Sequence, residues 1–403
     1  MQQRSTLPLL LILAGALLLP GCSTVQPRCT SAEDSPSHHY LMGMKALEEG
    51  NVAVAQEKFE RALYCDDDFG IAHAGLAIVS AEKAKVQADP NFRGVESGRV
   101  AEELKKARKY ADRPDQYFDY YAAVIRSDTL VKQKNWLDDA EYAYGDGSKL
   151  AVDERNLIYY QGTEALPYFM GVAWLEGNEF QKARDSFAAV LNAKREGKWH
   201  EKADKGWKRV DKILRAMGGI TVGDVGKAVA IKENVSRADL AALLIDEMKI
   251  EKVMAGRIPL ASQAARTAEF TPADMAGNPF REEVLTLMKW HVRGMEPKYD
   301  EATRAYLFKP ADPVTRGEMA FILEDILIKL TGDEKLATAY FGQERSPFPD
   351  VRPSSSLYNA VMNMTTRSIM ESELSGEFRI NDPVDGAEAL LAIRMFKQKM
   401  NIY

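Results

Sequence analysis

The chain has 403 residues, with 53 basic and 59 acidic side chains and a net charge of −6 at neutral pH. That balance lacks the basic footprint a nucleic-acid partner requires. The length suits two or three domains.

The first residues read as an export signal. Arg4 supplies positive charge, and residues 7–19 form an apolar run interrupted by Pro8. The run has about the length of a signal-peptide core and falls short of the roughly 20 residues of a spanning helix. It ends in Leu19-Pro20-Gly21-Cys22, which resembles the lipobox of bacterial lipoproteins. The resemblance implies a diacylglycerol on the Cys22 sulfur, cleavage in front of it and acylation of the new amine. Several acyl chains anchor a protein far better than one. Cleavage removes residues 1–21, whose only charged side chain is Arg4, and takes the net charge from −6 to −7. Ser23, and not Asp, follows the cysteine; in a Gram-negative cell this implies the outer membrane, facing the periplasm. Residues 22–36 are Ser, Thr, Pro and charge without periodicity and read as a flexible tether. Cys29 and Cys65 remain. In an exported protein they form either a disulfide that clips the tether to the first helices or two free thiols, and spacing alone does not choose between these.

Residues 37–218 are patterned as helical hairpins. Gly43, Gly50, Ala55, Phe59, Ala62 and Leu63 form one unit, and Gly171, Trp174, Ala183, Phe187 and Leu191 repeat its spacing. Small residues let antiparallel helices approach, and the phenylalanine fills the gap between them. Further helices are predicted over 71–85, 100–111, 117–134 and 136–144. These residues resemble a tetratricopeptide-type array, which stacks hairpins on a shared core and exposes a concave face. The resemblance implies a protein partner. The cluster Tyr117, Phe118, Tyr120 and Tyr121 either lines that face or packs in the core.

Residues 219–403 carry a different repeat. Phe308, Asp312, Pro313, Val314 and Glu318 recur as Phe378, Asp382, Pro383, Val384 and Glu388, a constant offset of 70 residues. Each set leads into an apolar helix, 319–330 and 389–400. A third copy, Val235-Ser236-Arg237-Ala238-Asp239, precedes a helix over 240–248. This pattern resembles the S-layer homology domain, whose repeat opens with Phe-x-Asp-Val, passes through Gly-x-Phe-x-Pro and starts a long helix with Thr-Arg-Ala-Glu. Phe348, Asp350 and Val351 match the opening, Gly376 and Phe378 the loop, and Thr315, Arg316 and Glu318 the helix start. The copies depart from the pattern at Gly386, which replaces the Arg, and at Gly317, which replaces the Ala. The Trp after the opening is missing, and the first copy has no opening half. The expected fold is all-α: a tetratricopeptide-like helical-hairpin array followed by an S-layer-homology-like bundle.

Thr315 with Glu318 forms a capping box, Ser236 with Asp239 a shorter version, and Asp385 with Glu388 keeps the cap and the acid. Val235, Val314 and Val384, one residue earlier, can staple onto Leu240, Met319 and Ala389. Capping does not explain Arg237 and Arg316, because a cation in the first turn opposes the helix dipole at a cost of a few tenths of a kcal/mol. In the resembled family this Arg faces grooves that hold anionic wall glycan, and a planar guanidinium suits a carboxylate. The competing reading pairs each Arg with a neighbouring repeat's acid.

No catalytic, metal or cofactor pattern emerges. None of His38, His39, His73, His200 and His291 has His-Glu-x-x-His spacing. No Gly-x-Ser-x-Gly elbow or phosphate loop occurs, and Asp66-Asp67-Asp68 lacks the spaced ligands of a Ca²⁺ loop. The sequence therefore points to a non-catalytic envelope lipoprotein. Its membrane contact is lipid on Cys22, its C-terminal repeats bind peptidoglycan or an acidic wall polysaccharide through Arg237 and Arg316, and its array binds a protein partner. The alternative is an assembly or export accessory protein whose repeats bind only proteins.

Overall fold

The computed structural model describes residues 29, 31–193, 196–218, 222–257 and 270–402. Cys22, the signal segment and most of the tether lie outside the described residues.

The first half comprises α1 (Pro36–Glu48), α2 (Val52–Cys65), α3 (Gly70–Val86), α4 (Pro90–Tyr110), α5 (Pro114–Val131), α6 (Trp136–Gly147), α7 (Ala165–Glu176), α8 (Phe180–Leu191) and α9 (His200–Met217). Three of these open on proline, where the missing N–H has no intrahelical partner to lose. Helix α4 starts ten residues earlier than the periodicity predicts, because Asp89 accepts a hydrogen bond from Asn91 N at 2.7 Å and Pro90 follows it. Two phenylalanines organise the packing. Phe59 lies between Gly43 and Gly75, where an added Cβ would stand 2.6 and 2.4 Å from the ring. Phe187 is clasped in the same way by Gly171 and Gly206, at 2.8 Å from each. Cys29 and Cys65 are joined by a disulfide with a Cα separation of 5.3 Å.

The segment between α6 and α7 does not hang free. Leu157, Tyr159 and Tyr160 are buried. Tyr160 packs against Phe118 of α5 and Phe169 of α7, its carbonyl accepts from Trp199 Nε1 at 2.7 Å, and Tyr159 OH donates to Glu48 of α1 at 3.2 Å. The face shared by α1, α5 and α7, expected to stand open, is filled by the protein's own aromatic side chains. Of the sequence-predicted cluster, Phe118 belongs to this packing and is buried, while Tyr120 and Tyr121 are half-buried.

The second half contains α10 (Asp224–Ala230), α11 (Arg237–Asp246), α12 (Ile250–Arg257), α13 (Arg281–Lys289), a hairpin of β1 (Lys298–Asp300) and β2 (Ala305–Leu307), then α14 (Arg316–Thr331), α15 (Tyr358–Thr366) and α16 (Gly386–Lys399). The hairpin is the one departure from an all-α chain among the described residues. Helices α11, α14 and α16 begin at the three sequence copies, and the residues before them interlock. Val235 N donates to Val384 O, Val384 N to Val314 O, and Val314 N to Val235 O, each at 2.9 Å. This closed ring of three backbone hydrogen bonds joins residues far apart in sequence, and all three valine side chains are buried. Two residues further on, the first N–H of each long helix reaches the next copy: Arg237 to Asp312 O, Arg316 to Asp382 O and Gly386 to Lys232 O, all at 2.9 Å. Helix α9 packs along α16, and Lys212 meets Asp385 at 2.7 Å, so the array and the three-copy bundle share one core.

The missing Arg at Gly386 has a steric reason. A Cβ there would lie 1.7 Å from Val229 O, because the end of α10 passes directly over the start of α16. Replacing Gly386 by Ala is expected to lower stability by more than about 3 kcal/mol, above the ordinary range for overpacking. Denaturant unfolding of the purified chain measures this.

In the array, burial drives the Asp119 carboxyl up to about 7, although the bond it accepts from Tyr40 pulls the other way. The unfolded carboxyl titrates near 3.8. Stability from the neutral form is therefore fully present below about pH 4 and is lost as pH rises through about 7. Melting midpoints are expected to rise on acidification from pH 7.5 to 5.5, and Asp119→Asn is expected to flatten that rise.

Candidate functional site

The site is built on the three-copy frame. Each long helix starts from an extended cap residue. Ser236 and Asp239 form a complete capping box, and so do Thr315 and Glu318. Asp385 accepts from Glu388 N at 2.8 Å, but the Glu388 side chain turns away to the neighbouring copy. The loop ahead of each later helix is clamped by an acid from its own copy. Asp274 accepts from Phe308 N and Lys309 N at 2.9 and 2.6 Å, and Asp350 accepts from Phe378 N and Ile380 N at 2.8 and 3.1 Å. Burial alone would raise the Asp350 pKa, but these N–H groups outweigh it and hold the carboxyl below its ordinary value.

The two arginines singled out in the sequence complete the same joints from the other side. Arg237 donates to the carbonyls of Phe308, Gly294 and Glu296 at 2.9, 2.8 and 3.2 Å. Arg316 donates to Phe378 O and Glu371 O, both at 2.6 Å, and pairs with Glu388. Each guanidinium lies 4.7 Å from the ring of the phenylalanine whose carbonyl it holds. Burial lowers the pKa of both, Arg316 to about 10 with Arg379 adding repulsion. Arg316 is 1% exposed and Arg237 9%. The sequence left two places open for them, facing a ligand or paired with a neighbouring copy's acid, and Arg316 with Glu388 takes the second. The structure puts them in the frame, where one copy's arginine fixes the next copy's loop.

A cleft of about 240 Å³ opens between the second and third copies and is walled on one side by α9. Lys212, Arg215, Glu371, Glu373, Arg379 and Glu388 line it, with Arg316 behind them. Arg379 pairs with Glu373 at 2.9 Å and stands 3.6 Å from Glu388 Oε2, a buried oxygen that accepts no hydrogen bond. Its backbone is left-handed, φ 57°, as is that of Lys309 at the equivalent place in the second copy. Sequence reasoning missed Arg379, Lys212 and Arg215. The recurrence of a cation at the same offset, Lys309 and Arg379, was the available signal.

Other candidates resolve into local structure. His73 contacts Glu103 at 2.6 Å and stacks on Tyr110, and His39 contacts Asp34 at 2.8 Å. Among the described residues the grouping with metal-ligand spacing is Cys29, Asp34 and Cys65, whose thiols are joined to each other. Among the described residues no helix is long and apolar enough to cross a membrane.

Residues 347–390 match the S-layer homology domain. The match covers the opening, the loop and the helix start of the third copy, and within it residues 368–373, Arg379 and Glu388 line the cleft. No curated protein and no solved structure matches the chain.

The geometry separates the arginines by role. Arg316→Ala frees the carbonyls of Phe378 and Glu371 from their buried donor, leaves Glu388 with Arg379 alone, and is expected to cost about 3–5 kcal/mol. Arg379→Ala breaks a half-exposed pair with Glu373 and longer contacts with Asp382 and Glu388, together worth roughly 0–1 kcal/mol. Urea unfolding of the two variants is expected to show that order.

Proposed function

We propose that this chain is a non-catalytic lipoprotein of the cell envelope that binds a wall polymer through its three-copy C-terminal module. The observation that carries the proposal is the S-layer homology match over residues 347–390, on a segment that walls an open cleft with cationic side chains. Arg379, and not the framework arginines, is the guanidinium placed to meet a ligand. Its pair with Glu373 is half-exposed and contributes little, so a ligand carboxylate can replace Glu373 at small cost. Glu373, released from Arg379, then offers its half-exposed carboxylate to a sugar hydroxyl. Donors for a carboxylate next to an acceptor for a hydroxyl favour an acidic polysaccharide or the peptide-bearing glycan of peptidoglycan. The cleft's acids face cations and not one another, which favours binding over hydrolysis.

Membrane attachment through Cys22 rests on the Leu19-Pro20-Gly21-Cys22 motif. With the outer membrane at one end and the wall at the other, the protein would tie the two together. A protein partner of the tetratricopeptide-like array would dock on its outer surface, since the inner face is occupied. Val86, Phe92 and Val95, all exposed at the α3–α4 turn, are the apolar side chains available there.

Co-sedimentation with purified sacculi tests the proposal. The non-lipidated chain, with Cys22→Ser, is expected to pellet with sacculi. Replacing Lys212, Arg215 and Arg379 together by Ala is expected to cut retention at least fivefold while far-UV circular dichroism stays unchanged. Absence of wild-type retention would overturn the wall-binding function, and equal retention of the triple variant would remove this cleft from it.

A further inference from the structure

The second and third copies end their opening helices, α13 and α15, in the same turn. Val292 N donates to Leu287 O and Ile369 N to Met364 O, at 3.3 and 2.9 Å, and both His291 and Ser368 are left-handed, φ 49° and 54°. The offset of 77 residues also relates Gly294 O to Glu371 O, the carbonyls held by Arg237 and Arg316. In this register the two copies differ in chemistry. The third has three hydroxyls, Thr365, Ser368 and Ser372, of which Ser368 and Ser372 line the charged cleft. The second has Met288, His291 and Met295, and all three line one cavity of about 210 Å³.

The frame does not require this trio, since hydroxyl side chains serve the same turn one copy later. Packing accounts for Met295, which is buried, and in part for Met288, which is half-buried. It does not account for His291, which is exposed and whose ring nitrogens have no hydrogen-bond partner among the described residues. Two thioethers and an imidazole are uncharged donors, and thioethers select soft ions. No thiolate or carboxylate belongs to the set, which separates it from Cys29, Asp34 and Cys65. The acid on the cavity wall, Glu296, is turned to Gly294 N at 2.7 Å. Arg237, held at the carbonyls of Gly294 and Glu296, repels a doubly charged ion more than a singly charged one. The cavity is smaller than the roughly 300–1,000 Å³ of pockets for drug-sized ligands, and the flexible methionine arms can close on something as small as an ion. With Cys29 and Cys65 joined to each other, thioethers are also the sulfur ligands that remain available.

We propose that Met288, His291 and Met295 form a binding site for a soft monovalent metal ion, Cu(I), with two thioether sulfurs and one imidazole nitrogen as its ligands. The site is independent of the wall-binding reading, because it uses no residue of the charged cleft.

The test is competition for Cu(I) between the non-lipidated chain, with Cys22→Ser, and the coloured bicinchoninate complex in ascorbate. One Cu(I) per chain is expected to be withdrawn. The Met288→Leu, Met295→Leu variant, which keeps the apolar volume, is expected to bind at least tenfold more weakly at an unchanged melting midpoint, and His291→Gln at least fivefold more weakly. A tenfold excess of Zn²⁺ is expected to leave Cu(I) in place. Silver(I), which is redox-inert, is expected to shift the ε-methyl resonances of Met288 and Met295 in the wild type. No withdrawal of Cu(I) by the wild type, equal affinity in the Leu variant, or displacement by Zn²⁺ overturns the site. If the Leu variant unfolds, the methyl resonances decide: silver(I) that leaves both in place overturns the site as well.

Discussion

The C-terminal module depends on a ring of three backbone hydrogen bonds among Val235, Val314 and Val384. Each such bond contributes only about 0.5–1.5 kcal/mol net, so the ring matters for what it fixes and not for its energy. It can close only if all three copies present an extended residue just before a helix. Ser236, Thr315 and Asp385 do this with nearly the same backbone angles, φ near −80° and ψ of 166°, 160° and 161°. Their side chains then cap the helices that follow. Local capping and global assembly are therefore the same act, and no copy can reach its final shape alone.

Around this near-symmetric ring the three joints differ. In two of them an arginine from one copy grips the loop of the next, while that loop's N–H groups are held by an acid of its own copy. In the third joint the backbone of α10 takes the space, and only Gly386 fits. One open joint is lined with paired charges and walled by α9. The second copy by itself holds a smaller cavity, lined mostly by apolar side chains with Tyr306 of the hairpin at its edge. Function is carried by these differences, laid on a frame that conserves backbone geometry from copy to copy.

What the sequence disclosed follows from the range of each interaction. Capping boxes, proline starts and the glycine–phenylalanine clasp are short-range patterns, and they stand in the structure at the residues that carry them. The 70-residue offset announced the repeat. The ring could not be read, because its partners are backbone groups, and side-chain identity says little about which N–H meets which carbonyl. Arg237 and Arg316 were legible as exceptions to dipole preference, and a neighbouring copy's acid was one expected partner, as Glu388 is for Arg316, but both also hold main-chain carbonyls 55 to 71 residues away. Such carbonyls leave no mark in composition. The aromatic residues of the segment before α7 have no helical period, so nothing local marks them as buried; their burial comes from α1, α5, α7 and α9 packing on them. The β1–β2 hairpin is too short to alternate visibly.

An envelope role joins three observations of unequal reach: a lipobox-like start, a disulfide between Cys29 and Cys65 of the kind found in oxidising compartments, and a module similar to a wall-associated family. The central claim is that a wall glycan meets this protein at the joints between C-terminal copies. Amide chemical-shift mapping of the non-lipidated chain with soluble peptidoglycan fragments tests it most directly. The account predicts perturbations concentrated at residues 368–373 and at Arg379, with α1–α8 silent. Perturbations confined to the array, or none at saturating fragment, would contradict it.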